Sequence, residues 1–363
     1  MKKVQKSICR WLRERKLRDL VREKRRLVEV TYTATLADAV NSLVANRVIA
    51  VPVAAPPGRF IGAGGSMIVE CDSTTGVVRK QYIGIITMLD VLVHIAEGDL
   101  STSEANADAV DLDSKMAVRV SSLIGHSLEG LSLWTLNPNT SILDCMEAFS
   151  KGVHRALVPI ESQTESAITA ELVEASPGYR MLTQMDVLSF LRENGSELKD
   201  VMSRSVGELN AVHENVFAVT NLVKVIDAVK SMRTLSLTAV PIVAAETGEA
   251  QGDEHIVQDG RGRRLIETFS ATDLRVCSVP QLRSLLSVSV MEFKDREPKK
   301  GKVVTCGYAT TLGQVIDEAV VEHVHRVWVV DEQGMLRGLV SLSDMLRVIR
   351  ENAAAEEEEL QEN

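Results

Sequence analysis

No apolar run in this chain approaches the ~18 residues that a bilayer-spanning helix needs, so stable membrane insertion is not expected. Residues 1–26 are charged throughout, which excludes the apolar core of a secretory signal. Glu14, Asp19 and Glu23 also argue against an acid-poor transit peptide. The expected compartment is the cytoplasm or the nucleus. Five cysteines (Cys9, Cys71, Cys145, Cys277 and Cys306) stand far apart with no C-x-x-C pair. That spacing argues against a disulfide framework or a zinc site and fits reduced, mostly buried thiols.

Catalytic patterns are equally scarce. His94, His126, His213 and His255 are isolated, with no triad partner and no H-E-x-x-H run. His323 is expected on a helix preceding His325, and no Cys or acid stands beside the two to complete a metal set. The Gly62-Ala63-Gly64-Gly65 tract lacks the Lys-Ser/Thr of a phosphate loop and reads as a flexible insertion. With no nucleophile, base or metal set in view, an enzyme is not expected.

What is present is an ordinary globular composition, 363 residues with 45% hydrophobic and 25% charged, enough for two or three domains. The net charge of −9 hides an asymmetry: residues 1–26 hold 12 Lys and Arg against 3 acids, so the rest of the chain is strongly acidic. The last 13 residues add six glutamates and no base. An acidic body argues against general nucleic-acid binding. Within the basic start, Ile8, Trp11, Leu12, Leu17, Leu20 and Val21 recur at helical spacing. This stripe fits either a helix docked on its own domain or one that binds a partner or a lipid surface.

Internal self-similarity decides the architecture. Four segments end alike: an apolar strand, a hydroxyl residue, two residues, an aspartate, then an amphipathic helix. The closing motifs are Thr87-Met88-Leu89-Asp90, Thr183-Gln184-Met185-Asp186, Ser270-Ala271-Thr272-Asp273 and Ser341-Leu342-Ser343-Asp344. The helices are expected over 91–95, 187–191, 274–276 and 345–349. Upstream of each, a helix follows a Thr or Asn cap and leads into a short strand. The helices begin near Thr35, Thr140, Asn221 and Thr311, and the strands lie near 49–53, 156–160, 239–243 and 327–330. Each unit thus reads helix–strand–strand–helix. One such unit cannot bury both faces of its small sheet, so four units make two pairs. Polar or Gly-containing insertions at 54–81, 161–177 and 244–264 fall between the two strands, and 97–115 reads as a linker.

These residues resemble the CBS-domain family, whose repeats close with G-x-[IVL]-[ST]-x-x-D. The segments Val153-His154-Arg155-Ala156 and Val324-His325-Arg326-Val327 extend the resemblance to gamma-type regulatory subunits of AMP-activated and sucrose-non-fermenting-related kinases, in a plant gamma-like form. The resemblance implies an α/β fold of tandem CBS repeats, paired into two Bateman modules in a pseudo-symmetric disc. The expected organisation is a basic amphipathic segment at 1–16, repeats at 17–100, 117–195, 196–280 and 285–352, and an acidic tail at 353–363.

The closing motif supports two chemistries. As a capping box, the hydroxyl and the acid satisfy the first N–H groups of a helix. As a ligand contact, the carboxylate accepts hydrogen bonds from the two ribose hydroxyls of an adenosine. Phosphate needs cations, and arginine offers a planar fork that matches its oxygens. The candidate nucleotide-binding residues are therefore Asp90, Thr183, Asp186, Asp273, Ser341, Ser343 and Asp344, with His154, Arg155, His325 and Arg326. Two departures stand out. Ile49 takes a position where the resembled subunits carry a phosphate-binding arginine, with Arg47 on the other strand face, and Ser236, beside Thr238, replaces the base of repeat three.

The resemblance implies a non-catalytic regulatory subunit that binds AMP, ADP or ATP, needs no cofactor, and assembles with protein kinase catalytic and beta-type subunits. Two alternatives stay open: a nucleotide-insensitive scaffold for kinase subunits, or a CBS regulator of another enzyme with a different adenosyl ligand.

Overall fold

Three of the four hydroxyl-x-x-Asp motifs sit where a strand ends and an α-helix starts. The computed structural model describes residues 7–55, 60–61, 67–68, 81–97, 112–124, 133–160, 178–246, 255–296 and 303–362. Cys71, His126 and the Gly62–Gly65 tract lie outside these. Strand Tyr82–Thr87 runs into helix Met88–Glu97, Tyr179–Thr183 into Gln184–Glu193, and Leu336–Ser341 into Leu342–Glu362. Asp90 Oδ2 accepts from the backbone N–H and hydroxyl of Thr87 at 2.9 and 2.7 Å. Asp186 does the same with Thr183, and Asp344 with Ser341. The three hydroxyl oxygens accept the aspartate N–H in return, so donors the helix cannot satisfy itself are paired.

Repeat three departs from this. Strand Leu265–Ser270 is followed by a single 3-10 turn, Asp273–Val276, where an amphipathic helix is expected. The next helix, Val279–Leu286, is capped by Ser278 and carries Pro280 in its first turn. Proline has no N–H and biases the residue before it away from helix, so no continuous helix can pass from 274 through this point.

The front helices are Leu36–Asn46, Ile142–Ser150, Val225–Thr234 and Leu312–Val321. Thr35, Ser141 and Thr311 cap three of them, whereas the third starts after Lys224 without a side-chain cap. Asn221, expected at its start, uses its Oδ1 to accept from Ala245 N–H at 3.1 Å. Each helix leaves through a left-handed residue at the same place: Arg47 (φ 52°), Gly152 (94°), Ser236 (54°) and His323 (53°). His323 therefore lies in the turn after the helix, not on it.

The unit also has a strand that the sequence pattern does not announce. Val30–Thr31, Trp134–Thr135, Ala218–Thr220 and Thr305–Cys306 each pair in parallel with the second strand of their repeat. The second strands, Ala50–Ala54, Arg155–Pro159, Ala239–Val243 and Arg326–Val330, pair antiparallel with the third. Repeat three adds Ile256–Val257 outside its lead strand.

Packing joins the repeats in two directions. Sequence neighbours meet through their sheets: Tyr82 stands edge-on to Tyr179 with ring centroids 5.4 Å apart, and Trp328 Nε1 donates to Thr268 Oγ1 at 2.7 Å. Alternate repeats meet through their helices. Repeats one and three share a core containing Val40, Leu92, Val229 and Phe269; repeats two and four share one containing Phe149, Leu188, Ile316 and Ile349. Between sequence neighbours, one with two and three with four, the lead-in segments are exchanged, with bridges from Arg119 to Thr35, Lys16 to Ser141, Ser205 to Thr311 and Ser289 to Lys224. Two sheet-joined modules closed by helices make the pseudo-symmetric disc.

The basic start belongs to this packing. Helix Ile8–Glu14 buries Cys9, Trp11 and Leu12, and Trp11 stacks on Phe190. Glu356 accepts from the Ile8 N–H at 2.8 Å, and Glu357 pairs with Arg13 at 2.8 Å. The acidic end is thus the continuation of helix Leu342–Glu362, and it fastens the first helix of the basic start.

Candidate functional site

Strand register fixes which residues are equivalent. Ala50 stands opposite Thr87, Arg155 opposite Thr183, Ala239 opposite Ser270 and Arg326 opposite Ser341. The arginines of repeats two and four therefore match Ala50 and Ala239, and the histidines match Ile49 and Thr238. Ile49 thus stands at the histidine position and not, as expected, at the arginine's, and Ser236 is not the substituted residue: it matches Arg47 and His323 in the left-handed turn. Arg47, expected on the opposite strand face, lies in that turn and reaches the central cavity.

This cavity, of about 490 Å³, is lined from all four repeats. It brings together both His-Arg pairs, the hydroxyl residues Thr87, Thr183, Ser270 and Ser341, and Ser343. The pairs are close enough to act on one another. Burial and the Arg326 charge hold His154 down to about 4. Burial, with Arg155 and Arg326 beside it, holds His325 down to about 3. Both imidazoles are therefore neutral at physiological pH. Burial lowers Arg155 and Arg326 to about 10, opposed by Asp90 at the first and Asp344 at the second, and both remain charged. Arg326 Nη1 donates to Thr238 Oγ1 at 2.7 Å, so the base of repeat four is held by repeat three. Two desolvated guanidinium groups and two neutral imidazoles in one cavity can take an anion by charge-assisted hydrogen bonds.

The four aspartates are not among the described lining residues. They divide into two kinds. Asp186 is ion-paired to Lys24, and Asp273 to Lys294 at 3.2 Å. Burial raises the Asp273 carboxyl even with Lys294 beside it. Asp90 and Asp344, by contrast, act on the cavity arginines, and Asp344 also lies 3.8 Å from Arg347. Ser343 has a structural partner: its Oγ accepts from Gln184 Nε2 at 2.8 Å, and the same amide donates to Phe149 O. That link ties the motif of repeat two to that of repeat four.

Sequence reasoning missed Lys24, Arg25 and Arg26, which line the cavity from the stretch ahead of the first lead strand, and Lys294, whose side chain is buried. The only signal for the first three is the concentration of charge before residue 27. Nothing in the local pattern distinguishes Lys294.

Four helix-and-sheet units around one shared cavity define a four-repeat CBS protein. A family model described as CBS domain matches residues 298–351. The crystal structure of protein MJ1225 from Methanocaldococcus jannaschii, described as a putative archaeal homolog of g-AMPK, has the same fold: TM-score 0.61 at 17% identity, covering 92% of this chain and 99% of that one. Two Arabidopsis thaliana proteins, the SNF1-related protein kinase regulatory subunit gamma-like PV42a and PV42b, are 54% and 50% identical, each match covering 92% of this chain and 94% of the relative. The chain belongs to this family of SNF1-related kinase gamma-like regulatory subunits.

Proposed function

We propose that the chain is a non-catalytic subunit that binds adenine nucleotide in the central cavity and thereby modulates a SNF1-related kinase complex in the cytoplasm or nucleus. The observation that carries this reading is the meeting of His154-Arg155 and His325-Arg326 with hydroxyls from every repeat in one cavity. The phosphates lie on Arg155 and Arg326. Asp90 and Asp344 are the ribose acceptors, because Asp186 and Asp273 already hold lysines. Binding acts through a difference in affinity between two arrangements of the repeats, which kinase catalytic and beta-type subunits read.

Calorimetry with AMP, ADP and ATP tests this. The intact chain is expected to bind, Asp344→Ala to lose about tenfold and Arg155→Ala with Arg326→Ala about a hundredfold. No binding by the unsubstituted chain at millimolar nucleotide would sink the reading.

A scaffold without nucleotide response is the second reading, favoured by the uncharged Ala50 and Ala239 at the arginine positions and by the two lysine-occupied aspartates. Kinase subunits co-purifying equally, with and without nucleotide, on the intact chain and on the double arginine variant would support it.

A further inference from the structure

The anion-binding reading of the cavity, on which this inference rests, leaves a surplus of charge. Besides Arg155 and Arg326, the wall carries Arg47 from repeat one and Arg275 from repeat three, both exposed. Lys24, Arg25 and Arg26 join them, so seven Lys and Arg line the cavity with no Asp or Glu among its described lining residues. Setting against those seven the four motif aspartates, and adding Lys294 beside Asp273, leaves an excess of four positive charges, with Arg347 beside Asp344 balanced by Glu351. A phosphomonoester carries about −1.5 to −2, roughly half of that.

We propose that the cavity is a polyphosphate site and that Arg25 and Arg26 are phosphate-binding residues within it. They supply the cations that repeats one and three lack on their strands. The segment is held at two points. Lys24 pairs with Asp186 of repeat two, and Arg25 Nη1 donates to Asn46 O, next to Arg47 of repeat one, at 3.0 Å. This fastens the chain across the two repeats and leaves Arg25 with further N–H donors for a ligand. The ligand is a linear chain of phosphates, either free or as the tail of a nucleoside triphosphate.

The test uses the full chain with orthophosphate, inorganic tripolyphosphate, AMP and ATP in parallel titrations. Tripolyphosphate is expected to bind at least about a hundredfold more tightly than orthophosphate. Arg25→Ala with Arg26→Ala is expected to weaken it roughly tenfold. Both arginines are exposed, so an unchanged thermal transition will confirm that the variant folds. Arg18→Ala with Arg22→Ala removes the same charge from exposed positions outside the cavity and should change little. Equal losses in the two variants, or tripolyphosphate no tighter than orthophosphate, would overturn the proposal. If tripolyphosphate binds through Arg25 and Arg26 while ATP gains nothing over it, this proposal stands and the nucleotide reading falls. If ATP and tripolyphosphate binding both ignore Arg25 and Arg26, this proposal falls and the nucleotide reading stands.

Discussion

Repeats two and four open their second strands on His154-Arg155 and His325-Arg326, whereas repeats one and three present Ile49-Ala50 and Thr238-Ala239 at the same register. The backbone is indifferent to the exchange, since all four strands pair with their hydroxyl residue in the same way. Desolvating a guanidinium is unfavourable, and two of the four repeats do without one, so the arginines are not needed to build the unit. The acids divide differently: Asp90 of repeat one and Asp344 of repeat four act on arginines, while Asp186 of repeat two and Asp273 of repeat three are held by lysines. A fourfold fold thus carries unequal chemistry in its four repeats.

The largest effect of a single substitution that would sharpen this comparison comes from the lysine-held acids. Lys294 is 5% exposed, so Lys294→Ala leaves Asp273 buried without its main counter-charge. The chain should lose about 3 kcal/mol in urea unfolding. Lys24 and Asp186 are more open, and Lys24→Ala should cost about 1 kcal/mol or less. Equal costs in the two variants would show that the two acids are not held differently.

The next effect separates the His-bearing repeats from the others by pH. The folded chain depresses His154 to about 4 and His325 to about 3, so it keeps them neutral where the unfolded chain protonates them. Stability should therefore fall as pH drops from about 6.5 toward 4, by at most about 1.4 kcal/mol per pH unit for each histidine. His154→Gln with His325→Gln should flatten the profile. An unchanged slope would mean that carboxylates set it.

The smallest effect concerns the left-handed turn shared by all four repeats. Gly152 adopts it without strain, whereas Ser236 holds φ 54° against its Cβ. Ser236→Gly should raise stability by about 0.5–1 kcal/mol, read from the unfolding midpoint, and Gly152→Ser should lower it by a similar amount. No change in either variant would remove this turn as a point of difference.

Much of the fold was legible because its cues are local. The hydroxyl and the acid of each closing motif are three residues apart, so cap and strand end could be read together. The lead strands were not legible, since Val30–Thr31 and its counterparts are only two or three residues long, too short for alternation to register. The missing helix of repeat three was foreshadowed by Pro280, but the apolar residues before it read as helix. At the site, both His-Arg pairs were identifiable by recurrence. Which residues replace them was not, because equivalence depends on the left-handed turn and the ladder register, and a two-residue slip put Ser236 where Thr238 belongs.

The sequence by itself determined four units, their caps and strand ends, and the two His-Arg pairs, since each rests on residues a few positions apart. Only the tertiary structure decided that helices join alternate repeats while sheets join neighbours, that lead-in segments cross between partners, and that Lys24, Arg25 and Arg26 enter the same cavity as Arg326. Those contacts join residues 60 or more positions apart. They depend on how much apolar surface each face has left to bury once its own unit has formed, and local spacing does not encode that.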